Sequence, residues 1–333
     1  MTLNRRDLVR GALLGGAATA AFGAGLTAGV HRAAAQQTID TLQLFVPAAP
    51  GGGWDQTART MELVLRQMNA IGAAQVTNVP GAGGAVGLPQ FVNQWRGRQN
   101  TLMVAGMVMV GAIIANKSPV NLTMTTPIAR LTGEFEVIVV PAESPHKDMR
   151  SLTNALKQNP GGVSWAGGSA GGTDHILVGM IAQAVGVNPT QASYVAFAGG
   201  GPAQAALLGN QVTAGVSGYG EFAEQVKAGK LRALAISADT RQPGIDVPTL
   251  KEQGIDVELF NWRGVFAPPG VNAQARQNMI QLMERMSNSD PWKQELARRD
   301  WTGIFLAGDQ FTQYVQQETE RVTGVLKSLG LAT

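Results

Sequence analysis

Cysteine is absent from the 333 residues, which excludes disulfides and any thiolate chemistry, catalytic or metal-binding. Histidine occurs only as His31, His146 and His175, and no His/Asp/Glu grouping has the spacing of metal ligands, so no metal site is expected. Acidic residues are missing from the whole stretch between Glu62 and Glu134, although Arg66, Arg96, Arg98, Lys117 and Arg130 fall in it. Long apolar runs are also lacking beyond residue 36. The longest candidate, Leu102–Ala115, is too short and too interrupted by glycine to span a bilayer.

What is present begins with a leader. Asn4–Arg10 carries the paired arginines Arg5 and Arg6, a Gly/Ala/Leu-rich stretch follows to about Val30, and Ala33–Ala35 closes it. A basic start, a mildly apolar middle and an A-x-A end read as a cleaved signal peptide over residues 1–35, and the arginine pair points to the twin-arginine route. Setting aside the leader's four arginines and one aspartate turns the chain's +3 into 22 basic and 22 acidic residues. A neutral mature chain has no basic field for nucleic acid.

Apolar, β-branched runs alternate with helical patterns through residues 36–333. Strands are expected at Leu42–Val46, Gln75–Val79, Leu102–Ala105, Val137–Val140, Val163–Trp165, Tyr194–Phe197, Leu231–Ile236 and Val265–Ala267. A helix is expected over Asp55–Met68, with Asp55 as its N-cap and Ala58, Met61, Leu65 and Met68 on one face. Further helices are expected at Asn272–Met286 and Asp309–Leu329. This alternation implies an α/β fold with parallel-type sheets covered by helices. Crossings near Glu136–Pro141 and Val257–Pro268 divide the chain into one discontinuous lobe, residues 36–138 plus 260–333, and a second, residues 139–259.

Two glycine-rich loops each join such a strand to a helix: Pro50-Gly51-Gly52-Gly53-Trp54-Asp55, and Gly167 to His175 through Ser169, Gly171, Gly172, Thr173 and Asp174. The first N–H groups of a helix lack internal partners and carry a partial positive charge, and glycines let an anion approach them. Two such junctions imply opposed jaws around a small carboxylate. A third, Phe197-Ala198-Gly199-Gly200-Gly201-Pro202, adds Gly200 and Gly201, with Pro202 suited to the first helical position. Arg263, in Asn261-Trp262-Arg263-Gly264, suits either bidentate carboxylate binding or a structural ion pair. Trp54, inside the first loop, can wall the cleft.

Two motifs fail. Gly167-Gly168-Ser169-Ala170-Gly171 matches the hydrolase elbow G-x-S-x-G, but no histidine follows His175, so Ser169 lacks the base that fold would supply. Gly81-Ala82-Gly83-Gly84-Ala85-Val86 starts like the dinucleotide fingerprint, yet lacks its last glycine and the downstream acid. No enzyme and no cofactor is expected.

Several blocks in order resemble the periplasmic receptors of tripartite tricarboxylate transporters, the TctC or Bug family. They are Pro50–Asp55, Pro80–Gly84, Ala166–Ser169 with Asp174-His175, Tyr194–Phe197 with Gly199–Gly201, Ala228–Ala235 and Asn261–Gly264. The resemblance implies a type II periplasmic-binding-protein fold, two α/β lobes with a ligand cleft between them. It implies capture of a citrate-like tricarboxylate or related carboxylate by the loops Gly51–Asp55 and Ser169–His175. A monomer would close on its ligand and deliver it to membrane subunits. Feeding a sensor kinase, with a dicarboxylate, amino acid or aromatic acid as ligand, stays open as the alternative. The sequence departs from the family at Gly218, where many members carry an acid facing the cleft, leaving Tyr219 or Glu221 to contribute instead.

Overall fold

The computed structural model describes residues 39–332, and the leader expected at residues 1–35 lies outside them. In chain order the elements are β1 Ile39–Val46, α1 Gly53–Gln67, β2 Ile71–Asn78, α2 Gly87–Gln94, β3 Thr101–Gly106, α3 Met107–Ala115 and β4 Thr126–Pro141. There follow α4 Met149–Gln158, β5 Ser164–Gly167, α5 Thr173–Ala184, β6 Ser193–Ala196, α6 Gly200–Leu208, β7 Ala214–Gly218, α7 Tyr219–Lys227 and β8 Leu231–Ile236. The chain ends with β9 Phe260–Ala267, α8 Ala273–Asn288, α9 Asp290–Arg298, β10 Thr302–Ala307 and α10 Gly308–Ser328.

All ten strands belong to one connected sheet, ordered β2-β1-β3-β9-β4-β7-β5-β6, with β8 and β10 also paired to β4. The βα units pair in parallel, β1 with β2 and β3, β5 with β6 and β7. β9 runs antiparallel to β3 and β4, so the sheet is mixed rather than all parallel. The long strand β4 joins the two portions: Thr126–Phe135 pairs β9, and Glu136–Pro141 lies between β7 and β8, pairing both.

The helices cover this sheet with the faces their patterns dictate. Ala58, Met61, Val64 and Leu65 of α1 are fully buried, and Met68 is half-buried beyond the helix end. Each such side chain withdrawn from water contributes about 1.5–3 kcal/mol. Helix α1 begins at Gly53 with Gly52 as its N-cap, so Asp55 lies inside the first turn instead of capping it. Its carboxylate reaches back past the cap to the Gly51 N–H at 2.9 Å. Pro202 likewise sits third in α6, after Gly200 and Gly201.

Strands β1, β5, β6 and β7 each feed a helix, and these four helices start at the same end of the sheet, around one cleft. Ligands of open α/β sheets bind outside the carboxyl ends of the strands, where helix N-termini gather.

Candidate functional site

The cleft holds about 380 Å³. Four N-caps border it: Gly52 of α1, Gly172 of α5, Gly199 of α6 and Gly218 of α7, none with a side-chain hydrogen bond closing its first turn. Helices α4, α8 and α9 do carry such caps, from Asp148, Asn272 and Ser289. An uncapped start is not confined to the cleft, since α2, α3 and α10 share it. All four caps at the cleft are glycine, as is Gly106 of α3, and glycine leaves the backbone donors unscreened by side chains. Gly199 adopts φ of 119°, open to glycine and costly for other residues.

The structure brings Gly52, Gly53, Trp54, Ser169, Gly172, Thr173, Asp174, Gly200 and Arg263 together on the cleft wall. Five expected residues do not line it. Gly51 is exposed, with its N–H given to Asp55. Asp55 is buried behind the loop, where it also accepts from Arg59 at 2.8 Å and Asn78 at 3.0 Å; these donors hold its carboxyl below the usual range against the opposing pull of burial. Gly171, at φ of 74°, packs its carbonyl onto Gly111 of α3. His175 turns its Nδ1 to the Gly171 N–H at 3.0 Å and stacks on Tyr194 with ring centres 4.1 Å apart. Gly201 faces outward, one helical step past Gly200.

Several internal bonds set the loops before any ligand arrives. Asp174 accepts from the Gly168 N–H, and the Tyr194 hydroxyl donates to the Gly168 carbonyl at 2.7 Å. Thr173 Oγ1 donates to Asn261 Oδ1 at 3.4 Å, linking α5 to β9. His175, committed to Gly171, is therefore no base for Ser169.

The residues that sequence reasoning missed are acids. Glu134 and Glu136 lie two apart on β4 and are both buried. Glu134 pairs with the Arg263 guanidinium, and its carboxyl fills the space a side chain at Gly218 would need. Gly218 itself borders the cleft, and Glu134 stands behind it. Glu136 has no hydrogen bond of ordinary geometry, although Asn261 and Asp174 face it. Glu221 lines the cleft, accepting from the Ser217 hydroxyl, whereas Tyr219 is buried in the core beneath α7. The chain had pointed to Glu221, but nothing in its local pattern marked Glu134 or Glu136.

Burial governs the charges. It pushes Asp174 up to about 7, opposed chiefly by the Gly168 N–H. It drives Glu136 well up, reinforced by the negative charges of Asp174 and Glu221. Glu221 is raised as well, with Ser217 and the Gly53 N–H opposing. Arg263 falls to about 9 by burial, which still leaves it protonated at neutral pH. Among the described residues no group of three or more His, Asp or Glu is placed to hold a metal ion.

Glycine-capped helices opening on one cleft, on an α/β sheet of this order, define a binding protein of the periplasmic type. The family model described as the tripartite tricarboxylate transporter family receptor matches residues 58–331, and the chain belongs to that family. Protein BugT of Bordetella pertussis is 26% identical over 316 residues, 91% of this chain and 94% of that protein. The fold is that of the periplasmic binding protein BugD, with a TM-score of 0.80 at 21% identity over 88% of this chain and 98% of that one. It is equally that of Rpa4515 of R. palustris with adipate, with a TM-score of 0.81 at 19% identity over 88% and 98%. These are substrate-binding proteins and not enzymes, which disposes of the hydrolase reading of Ser169. No helix among the described residues is long and apolar enough to cross a membrane.

Proposed function

We propose that this protein is an exported periplasmic receptor that captures a small organic carboxylate in the cleft and delivers it to the membrane subunits of a tripartite transporter. The observation that carries this reading is the set of four helix N-termini, each capped by glycine, around a single cleft of about 380 Å³. The ligand carboxylate is held at the α5 loop, Ser169 to Thr173, beside Gly199. Trp54 forms an apolar wall beside them, and family membership supports the same assignment.

Capture works by closure of the two expected lobes, residues 36–138 plus 260–333 and residues 139–259, about β4 and the segment entering β9. Contacts such as Gly111 against Gly171 and Thr173 to Asn261 would then form the closed seam. The expected tricarboxylate would bring three negative charges to a wall that holds Asp174 and Glu221, where its one guanidinium, Arg263, is already paired with Glu134. Within the carboxylates, this inventory favours acids of lower charge.

Calorimetry on the purified chain, stripped of co-purified ligand by partial unfolding, tests the reading. Citrate, malate, succinate, adipate, glutamate and butyrate form the panel. Micromolar or tighter binding of at least one acid is expected, and silence toward all of them would refute the carboxylate assignment.

A further inference from the structure

Glu221 stands in the first turn of α7, half-buried, with its carboxylate on the cleft wall. The Ser217 hydroxyl donates to its Oε2. Gly200, the first residue of α6, backs directly onto that oxygen, which fills the space where a side chain at Gly200 would stand. The N–H of Gly53, the first residue of α1, is turned to the same carboxylate. Three helix N-termini thus converge on one protein carboxylate, and each is capped by a glycine that offers no oxygen of its own. An anion seat in the cleft is filled by the chain itself.

A second observation points the same way. Glu136 is fully buried, neither of its oxygens has a hydrogen-bond partner, and it faces Asp174 and Glu221. Burial keeps Glu136 toward its protonated form, so it supplies no positive charge to offset Glu221. The guanidinium that could offset it, Arg263, is already paired with Glu134.

We infer that Glu221 is a charge filter that limits the ligand to a single carboxylate, seated at the α5 loop, with a neutral or hydrogen-bond-donating end meeting Glu221. The inference rests on the carboxylate reading of the cleft. It works by exclusion: a second ligand carboxylate would have to displace Glu221 or lie against it, and a neutral or donor end would do neither.

The test is calorimetry on the full chain with acids matched in length, butyrate against succinate and hexanoate against adipate, for the wild type, Glu221→Gln and Glu221→Asp. The wild type is expected to bind each monocarboxylate at least about tenfold tighter than its dicarboxylate partner. Glu221→Gln, which keeps the shape and an oxygen for Ser217, should shift that ratio at least about tenfold toward the dicarboxylate. Glu221→Asp, which keeps the charge, should retain the preference for one carboxylate. A ratio that Glu221→Gln leaves unmoved, with only the melting temperature lowered, would make Glu221 a helix-terminus residue and overturn the filter while the carboxylate reading stands. Silence of the wild type toward all four acids and toward citrate and malate would overturn that reading and the filter together.

Discussion

Glu134 on β4 and Arg263 on β9 form an ion pair inside the protein, and the guanidinium is at once part of the cleft wall. Arg263 also lies 5.1 Å from the Trp301 ring centre and occupies the space a side chain at Gly53 would need. The two roles open to Arg263 in the sequence, structural pair and cleft contact, are thus held together by one residue. Removing one member of a buried pair leaves the other uncompensated, so Arg263→Met alone should destabilise the fold by about 3–5 kcal/mol. Glu134→Leu combined with Arg263→Met should recover most of that loss. Urea unfolding of the two single variants and the double variant checks this, and strictly additive losses would dissolve the pair.

Asp174 and His175 are neighbours with opposite pH signatures. The folded value of Asp174 rises from 3.8 to about 7, chiefly by burial, with the negative charge of Glu221 adding to it. Its contribution to stability is complete below about pH 4 and is lost as pH climbs through about 7. His175 is lowered from 6.5 to about 4 by burial, so its contribution is complete above about pH 6.5 and is lost as pH falls toward 4. The two slopes oppose each other across one window, and single variants are needed to separate them. The melting temperature of Asp174→Asn should gain on that of the wild type as pH rises from 4 to 7, and His175→Gln should gain as pH falls across the same range. Parallel melting profiles for wild type and either variant would contradict the assignment for that residue.

The jaws were legible because a strand, a glycine run and a helical period in succession are local signals, as in Leu42–Gln67 and Ser164–Ala184. Strand β7, Ala214–Gly218, went unread because it is a short central strand built of small residues, with Val216 its one large apolar side chain. β10 escaped for a different reason: its half-exposed residues pair only with β4, and their apolar content does not alternate. β4 was read only at Val137–Val140, since Pro127, Arg130, Gly133 and Glu134 break the apolar pattern over its first ten residues. One of those interruptions, Glu134, and the acid two residues on, Glu136, stand buried behind the cleft wall. Glu134 and Glu136 are buried by β7, β8 and β9, which arrive from far along the chain, and no local spacing encodes such burial. Asp55 was misplaced as an N-cap for the converse reason, because Gly52 carries no side chain to announce the cap that its backbone makes.

Gly52→Val separates binding from folding. Gly52 holds φ of −73° and ψ of 169°, which valine adopts readily, and a Cβ there would touch only the Ala49 carbonyl at 3.5 Å. Stability should therefore change by about 1 kcal/mol or less. The added isopropyl group would stand over the first turn of α1 and narrow the cleft, so ligand affinity should fall at least about tenfold. Denaturation and calorimetry on the same preparation give both numbers, and unchanged affinity would remove Gly52 from the site.

Gly111, in the interior of α3, touches the backbone carbonyl of Gly171 in the loop before α5, and no side chain fits between them. The contact joins the β3 side of the cleft to the β5 side, so its spacing sets how closely the two sides approach. Gly111→Ala would favour the helix itself by about 0.8–1.0 kcal/mol, since alanine is the better helix former. The same methyl group would push the Gly171 loop away, along with the Asp174 and Thr173 contacts that follow it. The two effects act on different quantities: thermal stability of the ligand-free protein should stay near the wild-type value, while affinity should drop because closure can no longer complete. Small-angle scattering with saturating ligand should show the variant keeping the larger radius of gyration of its ligand-free state. A variant that contracts and binds as the wild type does would show that the Gly111–Gly171 seam plays no part in capture.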